Sequence, residues 1–188
     1  VVPDRGLRRL CVLDNVEEAL SSMFGMVAEI CTDLISQCRA LTIRINELER
    51  DIKTRVRRAA PTLLEIPGCG PLTAAKLVGE IAGIERFRTK AAFARFNGTA
   101  PIPVWSSNTE QFRLNRGGNR QVNAALHRIA ITQMRGVGPG RDYIDKRQAN
   151  GDTKTKAIRA LRRRISDVVY AALTTDESTT AALAVVAA

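Results

Sequence analysis

The 188-residue sequence predicts an all-α protein, a long helical, coiled-coil-like segment followed by a compact helical domain. Three observations lead there. Apolar residues recur at three- and four-residue steps over most of the chain, the spacing that lines one face of a helix. Aromatic residues make up only 4%, while Ala, Leu, Ile and Arg are abundant, a composition that suits helices and starves a β-sandwich. The apolar content of 45% supports a real core and excludes wholesale disorder.

Residues 15–58 read as one long helix, or as two with a break near residues 21–25. Ile30, Leu34, Cys38, Leu41, Ile45, Leu48 and Ile52 fall in helical register, flanked by Arg44, Glu47, Glu49, Arg50, Asp51 and Lys53. Such a seam suits a coiled coil or a helical hairpin; an amphipathic helix packed on its own domain carries the same pattern. Pro61 stops it. Ile66-Pro67-Gly68-Cys69-Gly70 reads as a tight turn, with Pro71 at the first position of a new helix whose apolar face is Leu72, Ala75, Val78 and Ala82 and which Gly83 closes. Helix, apolar residue, Gly-x-Gly, helix is the pattern of a helix-hairpin-helix unit. There Gly68 and Gly70 would let the backbone approach a phosphate, and the next helix would offer free N–H groups. A plain helical hairpin, whose glycines only make the turn, has the same sequence.

Thr89 caps a short helix, Lys90–Phe96, that turns Phe93 and Phe96 to the core. Residues 98–118 carry no helical period and are expected to form a long loop, of the kind that often holds function. A helix over residues 119–134 follows, with Val122, Leu126 and Ile129 in register. The glycines of residues 136–140 break it. The last helix starts on Asp152 or Thr153 as cap and buries Ile158, Leu161, Ile165, Val168 and Val169. Lys154, Lys156, Arg159, Arg162 and Arg163 lie elsewhere on its surface. From Thr174 the Ala/Thr-rich tail is expected to fray. The organisation is thus a helical linker (1–60), a compact domain (61–174) and a flexible tail (175–188), with no internal repeat.

Charge divides the chain more sharply than pattern does. The formal net charge is +10, and residues 86–164 hold 18 basic against 4 acidic residues, a local excess of 14. A soluble surface needs mixed charges and gains nothing from such a block. It is the electrostatic footprint of a nucleic-acid-binding protein. No apolar run reaches the roughly 18–20 residues that span a bilayer, and the N-terminus has no signal-peptide core. The four cysteines (Cys11, Cys31, Cys38, Cys69) form no CxxC pair, which speaks against zinc and disulfides, fits a reducing cytoplasm and makes them simplest as buried apolar groups.

Few residues are equipped for chemistry. His127 is the only histidine, so a His-based triad or His-rich metal site is excluded, and it reads as a packed or surface side chain. Glu110, Asp142, Asp145 and Asp152 lack the paired spacing of a two-metal nuclease. Ser106 and Ser107 remain, with Arg113, Arg116 and Arg120 close behind. A serine attacks a phosphodiester if its proton is removed and cations meet the developing charge, a task the planar guanidinium suits. Serines that merely satisfy a polar loop look the same.

Three segments in fixed order separate these readings. They begin LLEIPGCGPLTAAKLVGEIAGIERF at Leu63, RLNRGGNRQVNAALHRIA at Arg113, and RDYIDKRQANGDTKTKAIRAL at Arg141. Together they resemble the C-terminal half of transposases of the insertion sequence 110 family (the 110/116/902 type), over about residues 60–173, with the preceding helices similar to that family's linker. The resemblance implies a helical transposase domain with a nucleophilic serine about five residues after a Gly-x-x-Pro element. Here the element is Gly98-Thr99-Ala100-Pro101 and the serine Ser106, with Ser107 the near miss. Asn108 stands where the family has glycine. The run Arg116-Gly117-Gly118-Asn119-Arg120 matches the family's turn into the next helix. Complete members also carry an N-terminal RuvC-like domain with four metal-binding acids. This sequence has no such set, so Mg²⁺ is expected only in that other domain and no cofactor in this chain. The expected partners are DNA, a guide RNA and further copies of the chain, held through its N-terminal helices. The expected location is a bacterial cytoplasm, at the nucleoid. On this reading Ser106 would form a phosphoserine with DNA, Arg113, Arg116 and Arg120 would hold the scissile phosphate, and Gly68, Gly70 and the Lys154 to Arg163 face would grip the backbone. The rival readings are a non-catalytic helix-hairpin-helix binding module, and an oligomerisation fragment driven by the apolar seam.

Overall fold

Helix follows the apolar period almost throughout the computed structural model, which describes residues 9–106, 109–113, 115 and 117–186. The chain divides into two units, residues 1–51 and 52–188, with the boundary inside a helix rather than at residue 60. The first unit holds α1 (Leu10–Leu20) and most of α2 (Met26–Ala59). The interruption over residues 21–25 is therefore real, and of the two sequence alternatives the broken helix is the one formed. Leu13 and Val16 of α1 and Ala28 of α2 are buried, and Arg39 of α2 reaches back to Asp14 Oδ1 (2.7 Å) and Glu17 Oε2 (2.5 Å) on α1. The seam is on another face. Ile30, Leu34, Leu41, Ile45 and Leu48 are each 44–63% exposed. Cys11 and Cys38 are exposed as well, so of the four cysteines only Cys69 is the buried apolar group expected.

The second unit is built around Leu63, Leu77, Phe93, Leu126, Ile129, Leu161 and Val169, all buried. Each such aliphatic or aromatic side chain contributes about 1.5–3 kcal/mol of transfer free energy. After α2 a short 3₁₀ turn, Pro61–Glu65, leads to α3 (Pro71–Ile81). Pro71 occupies the first helical position, as its fixed φ and missing N–H favour. The buried face of α3 is Ala74, Leu77 and Ile81, not Leu72, which is 48% exposed; Ala75 and Val78 pack at its margin. α4 (Lys90–Phe96) starts on Thr89, whose Oγ1 accepts from Ala92 N at 3.1 Å. Phe93 packs edge-on to Phe87 at 5.3 Å, with Phe96 and Tyr170 completing the aromatic cluster.

The segment expected to be a long loop is largely a β-hairpin. β1 (Ile102–Ser106) pairs antiparallel with β2 (Thr109–Arg113), in a register that sets Ile102 opposite Arg113 and Ser106 opposite Thr109. Val, Trp, Thr and Phe favour the extended backbone, and ten residues are enough for two short strands though too few to change the fold class. α5 (Arg120–Met134) begins on Asn119, whose side chain accepts from Gln121 N and Val122 N. α6 (Gly140–Ala149) fills the stretch after the glycine break. α7 (Lys154–Val186) is capped by Thr153 rather than Asp152. α7 runs on through the tail expected to fray. Asp176, 6% exposed, anchors it there by accepting from Thr62 N (3.2 Å) and Thr62 Oγ1 (2.5 Å). Its buried stripe is Ala157, Leu161, Ile165, Val169 and Ala172, with Ile158 at the margin and Val168 46% exposed.

Candidate nucleic-acid interface

Three segments of the second unit enclose a cleft of about 790 Å³: the loop and strand of the hairpin (Gly98 to Pro101, Phe112, Arg113), α6 (Tyr143, Arg147) and the first turns of α7. Seven cationic side chains line it, Arg113, Arg147, Lys156, Arg159, Arg162, Arg163 and Arg164, against two carboxylates, Asp152 and Asp167. Arg147 pairs with Asp152 at 2.5 Å and Arg163 with Asp167 one helical turn on. Among the described residues five positive charges remain without a carboxylate, and a concave, partly desolvated site of one sign attracts an anion strongly.

Arg162 is the most constrained of them. Its Nη1 donates to Asn123 Oδ1 at 2.9 Å, while its buried Nε finds no hydrogen-bond partner among the described residues. Burial, and then the neighbouring Arg159 charge, lower its pKa. Arg162 is thus half-buried rather than freely solvated. The same charge reaches His127 on α5, whose pKa is lowered first by desolvation and then by Arg162.

The floor behind Arg162 is a hydrogen-bonded network that the sequence reading missed. Asn97 is fully buried. Its Nδ2 donates to Ser166 Oγ on α7 (2.8 Å), and its Oδ1 accepts from Thr99 N (3.1 Å) and Thr99 Oγ1 (2.6 Å). Asn123 Nδ2 donates to Asn97 O at 2.7 Å, so Asn123 holds the loop with one end and Arg162 with the other. At the same point the backbones of Gly98 (φ +72°) and Gly118 (φ +99°) touch; a Cβ on Gly98 would stand 2.7 Å from Gly117 O, and one on Gly118 2.5 Å from Phe96 O. Only glycine fits both the left-handed backbone and the contact. The Gly98-Thr99-Ala100-Pro101 element is therefore the root of the hairpin, bolted to α4, α5 and α7.

The expected site residues separate into groups. Arg113, Lys156, Arg159, Arg162 and Arg163 meet in the cleft. Lys154 and Arg120 are exposed at the first positions of α7 and α5 and do not line it. Ser106 is the last residue of β1, four positions along the strand from Ile102, the partner of Arg113. At about 3.3 Å per residue that is roughly 13 Å of strand. Ser107, Asn108 and Arg116 lie outside the described residues. Gly68, at φ +82°, has Thr132 Cβ and Ile129 O of α5 within 3.1–3.2 Å of where its Cβ would be, so its missing side chain serves helix packing. Gly70 precedes α3 with open space around it. Neither belongs to the cleft, and a 3₁₀ turn stands where a helix-hairpin-helix unit has its first helix. Tyr143 and Arg147 were not foreseen, because α6 buries only Gly140 and Ile144 and so shows no apolar period; Arg164 of α7 also lines the cleft and was not foreseen. Among the described residues no three His, Cys, Asp or Glu side chains come together to hold a metal. None of the described helices is long and apolar enough to cross a membrane.

The second unit is thus a small helical domain with a cation-lined cleft beside an anchored hairpin. Residues 60–145 match the transposase family described as Transposase IS116/IS110/IS902, and the chain belongs to that family. It is similar to the insertion element IS110 uncharacterized 43.6 kDa protein of Streptomyces coelicolor, 33% identical over 92% of this chain and 39% of the relative. It also matches the insertion element IS116 uncharacterized 44.8 kDa protein of Streptomyces clavuligerus (30%, over 77% and 37%) and the insertion element IS900 uncharacterized 42 kDa protein of Mycobacterium paratuberculosis (27%, over 85% and 41%). The chain spans about two fifths of the length of these relatives.

Proposed function

We propose that the chain is a DNA-handling part of a transposase, in which the cleft grips the phosphate backbone and Ser106 is the nucleophile. The observation that carries the reading is the set of cations at the root of a hairpin whose first strand ends on Ser106. In the step itself the serine Oγ bonds to phosphorus, the bond from phosphorus to one deoxyribose oxygen breaks, and that oxygen leaves with a proton. The DNA is held meanwhile as a phosphoserine. On this reading the chain supplies attack and grip, and a RuvC-like partner domain with Mg²⁺ would supply the remaining chemistry. A guide RNA and the nucleoid are the corresponding partner and place.

Binding is tested on the chain as it stands. Its affinity for DNA should fall linearly on a log–log plot against salt, by about 0.7–0.9 in slope per phosphate neutralised. Affinity unchanged from low to high salt would refute the grip. The nucleophile is tested by fusing the chain behind the N-terminal half of a family relative, with its RNA. Ser106→Ala should abolish a covalent protein–DNA product and leave DNA binding intact, and Ser107→Ala should spare both. The reverse pattern would move the nucleophile to Ser107. Self-association through α2 is a companion reading, favoured by the exposed seam of Ile30, Leu34, Leu41, Ile45 and Leu48. Light scattering on the chain should give a multiple of 20.6 kDa, and Leu41→Glu should return it to a monomer.

A further inference from the structure

The size of the cleft and the rings on its walls discriminate between kinds of nucleic acid. A volume near 790 Å³ is that of a small-molecule site, with room for a nucleotide or two and none for a double helix. Two aromatic side chains line it. Phe112 of β2 is 59% exposed, and Tyr143 of α6 carries the Arg164 guanidinium 5.3 Å over its ring. An exposed Phe adds nothing to the core of this domain, whose other phenylalanines in α4 and before it are packed together. Beside a basic groove it is the kind of side chain on which an unstacked base settles. A duplex keeps its bases stacked on one another and offers the cleft phosphates, which cations alone would bind. Arg162, its Nη1 aimed by Asn123, lines the same cleft, where its guanidinium suits a phosphate oxygen of the same nucleotide.

We infer that the cleft is a site for an unpaired nucleotide of a single strand, its base stacked on Phe112 and its phosphate held by Arg162 with Arg159 and Lys156. The inference rests on the nucleic-acid reading above and narrows its substrate to a strand freed from its duplex. The test is fluorescence anisotropy with the 188-residue chain, a labelled single strand of about twelve nucleotides and its matched duplex, at one fixed salt concentration. Phe112→Ala should weaken single-strand binding about five- to hundredfold, the span of one stacked base, with duplex binding changed less than about twofold. Phe112→Tyr should restore it, and circular dichroism should show both variants folded. Equal loss on both ligands, or no loss on either, overturns the inference and leaves the grip on DNA standing. A wild-type chain that binds neither ligand overturns both.

Discussion

Asn97→Ala should be among the most damaging polar substitutions in the second unit. The side chain is fully buried and makes three hydrogen bonds, one donated to Ser166 Oγ and two accepted from Thr99 N and Oγ1. Alanine removes all three. Ser166 is itself fully buried, so its hydroxyl is left without this donor; the Thr99 N–H keeps its bond to Ala94 O at 3.0 Å, and the Thr99 hydroxyl can rotate to water. At about 1–3 kcal/mol for a buried group left unsatisfied, the loss at Ser166 costs roughly 1–3 kcal/mol. For a unit of this size that is a fall of roughly 3–12 °C in melting temperature. Urea denaturation followed by circular dichroism measures the cost directly. Limited proteolysis adds a second readout, because cleavage between residues 98 and 118 should accelerate by more than the global loss accounts for if Asn97 anchors the hairpin. A variant within about 0.5 kcal/mol of the wild type, with the hairpin equally protected, would refute the argument.

Gly98→Ala should cost about 2 kcal/mol or more in the same assay, since a strained φ and a Cβ 2.7 Å from a backbone oxygen act together. Because His127 is the chain's only histidine, its imidazole is a clean magnetic-resonance probe. Arg162→Ala should raise its pKa by removing a positive neighbour and admitting water, and an unmoved titration would contradict their coupling. The sign for stability follows: the folded pKa is lowered, so the native state binds less proton than the unfolded chain, and stability attributable to His127 is lost as pH falls through the ordinary histidine value. Burial pushes the Cys69 thiol up to about 11, so mass spectrometry should find iodoacetamide on exposed Cys11 and Cys38 at neutral pH well before Cys69. Arg159→Glu should weaken DNA binding at a stability cost within about 0.5 kcal/mol, as for an exposed side chain, whereas Arg162→Glu should also destabilise by breaking its bond to Asn123.

The sequence disclosed what depends on period, and little of what depends on contact. Leu126 and Ile129, or Leu161 and Ile165, announce their helices because successive turns meet one core. α6 does not, since Ile144 alone among its large side chains is buried. The hairpin went unread because its strands are five residues long and one carries Pro103, which removes a ladder donor and weakens the strand signal. The site was half legible for the same reason. A block of cations shows in a residue count, so Arg159 and Arg163 were found. That Arg162 is aimed by Asn123, 39 positions away, and Asn123 in turn tied to Asn97, is a property of α5 and α7 packing together. Gly68 errs in the opposite direction: a glycine that could admit a phosphate and one that must admit a neighbouring helix have the same letter, and only the position of Thr132 and Ile129 distinguishes them.

The hairpin register places a condition on the serine chemistry. Ser106 and Arg113 belong to opposite ends of the ladder, about 13 Å apart along the strand. An arginine side chain reaches roughly half that distance, so a phosphate under attack at Ser106 is not the phosphate held beside Arg113 in the same chain. Along a strand that keeps duplex-like stacking, at about 3.4 Å per nucleotide, the two points are about four nucleotides apart, and along an extended single strand fewer. If Ser106 is the nucleophile, the cleft therefore grips a neighbouring stretch of the cleaved strand, and the cations that meet the developing charge come from elsewhere. A second copy of the chain or a partner domain would supply them. Charge removal in the cleft should accordingly weaken binding and leave the rate of adduct formation at saturating DNA nearly unchanged, whereas removing the cation that faces Ser106 should lower that rate itself. A cleft variant such as Lys156→Ala that lowers the saturated rate as much as the affinity would show that the two points act as one site, and that the hairpin bends back on its own root.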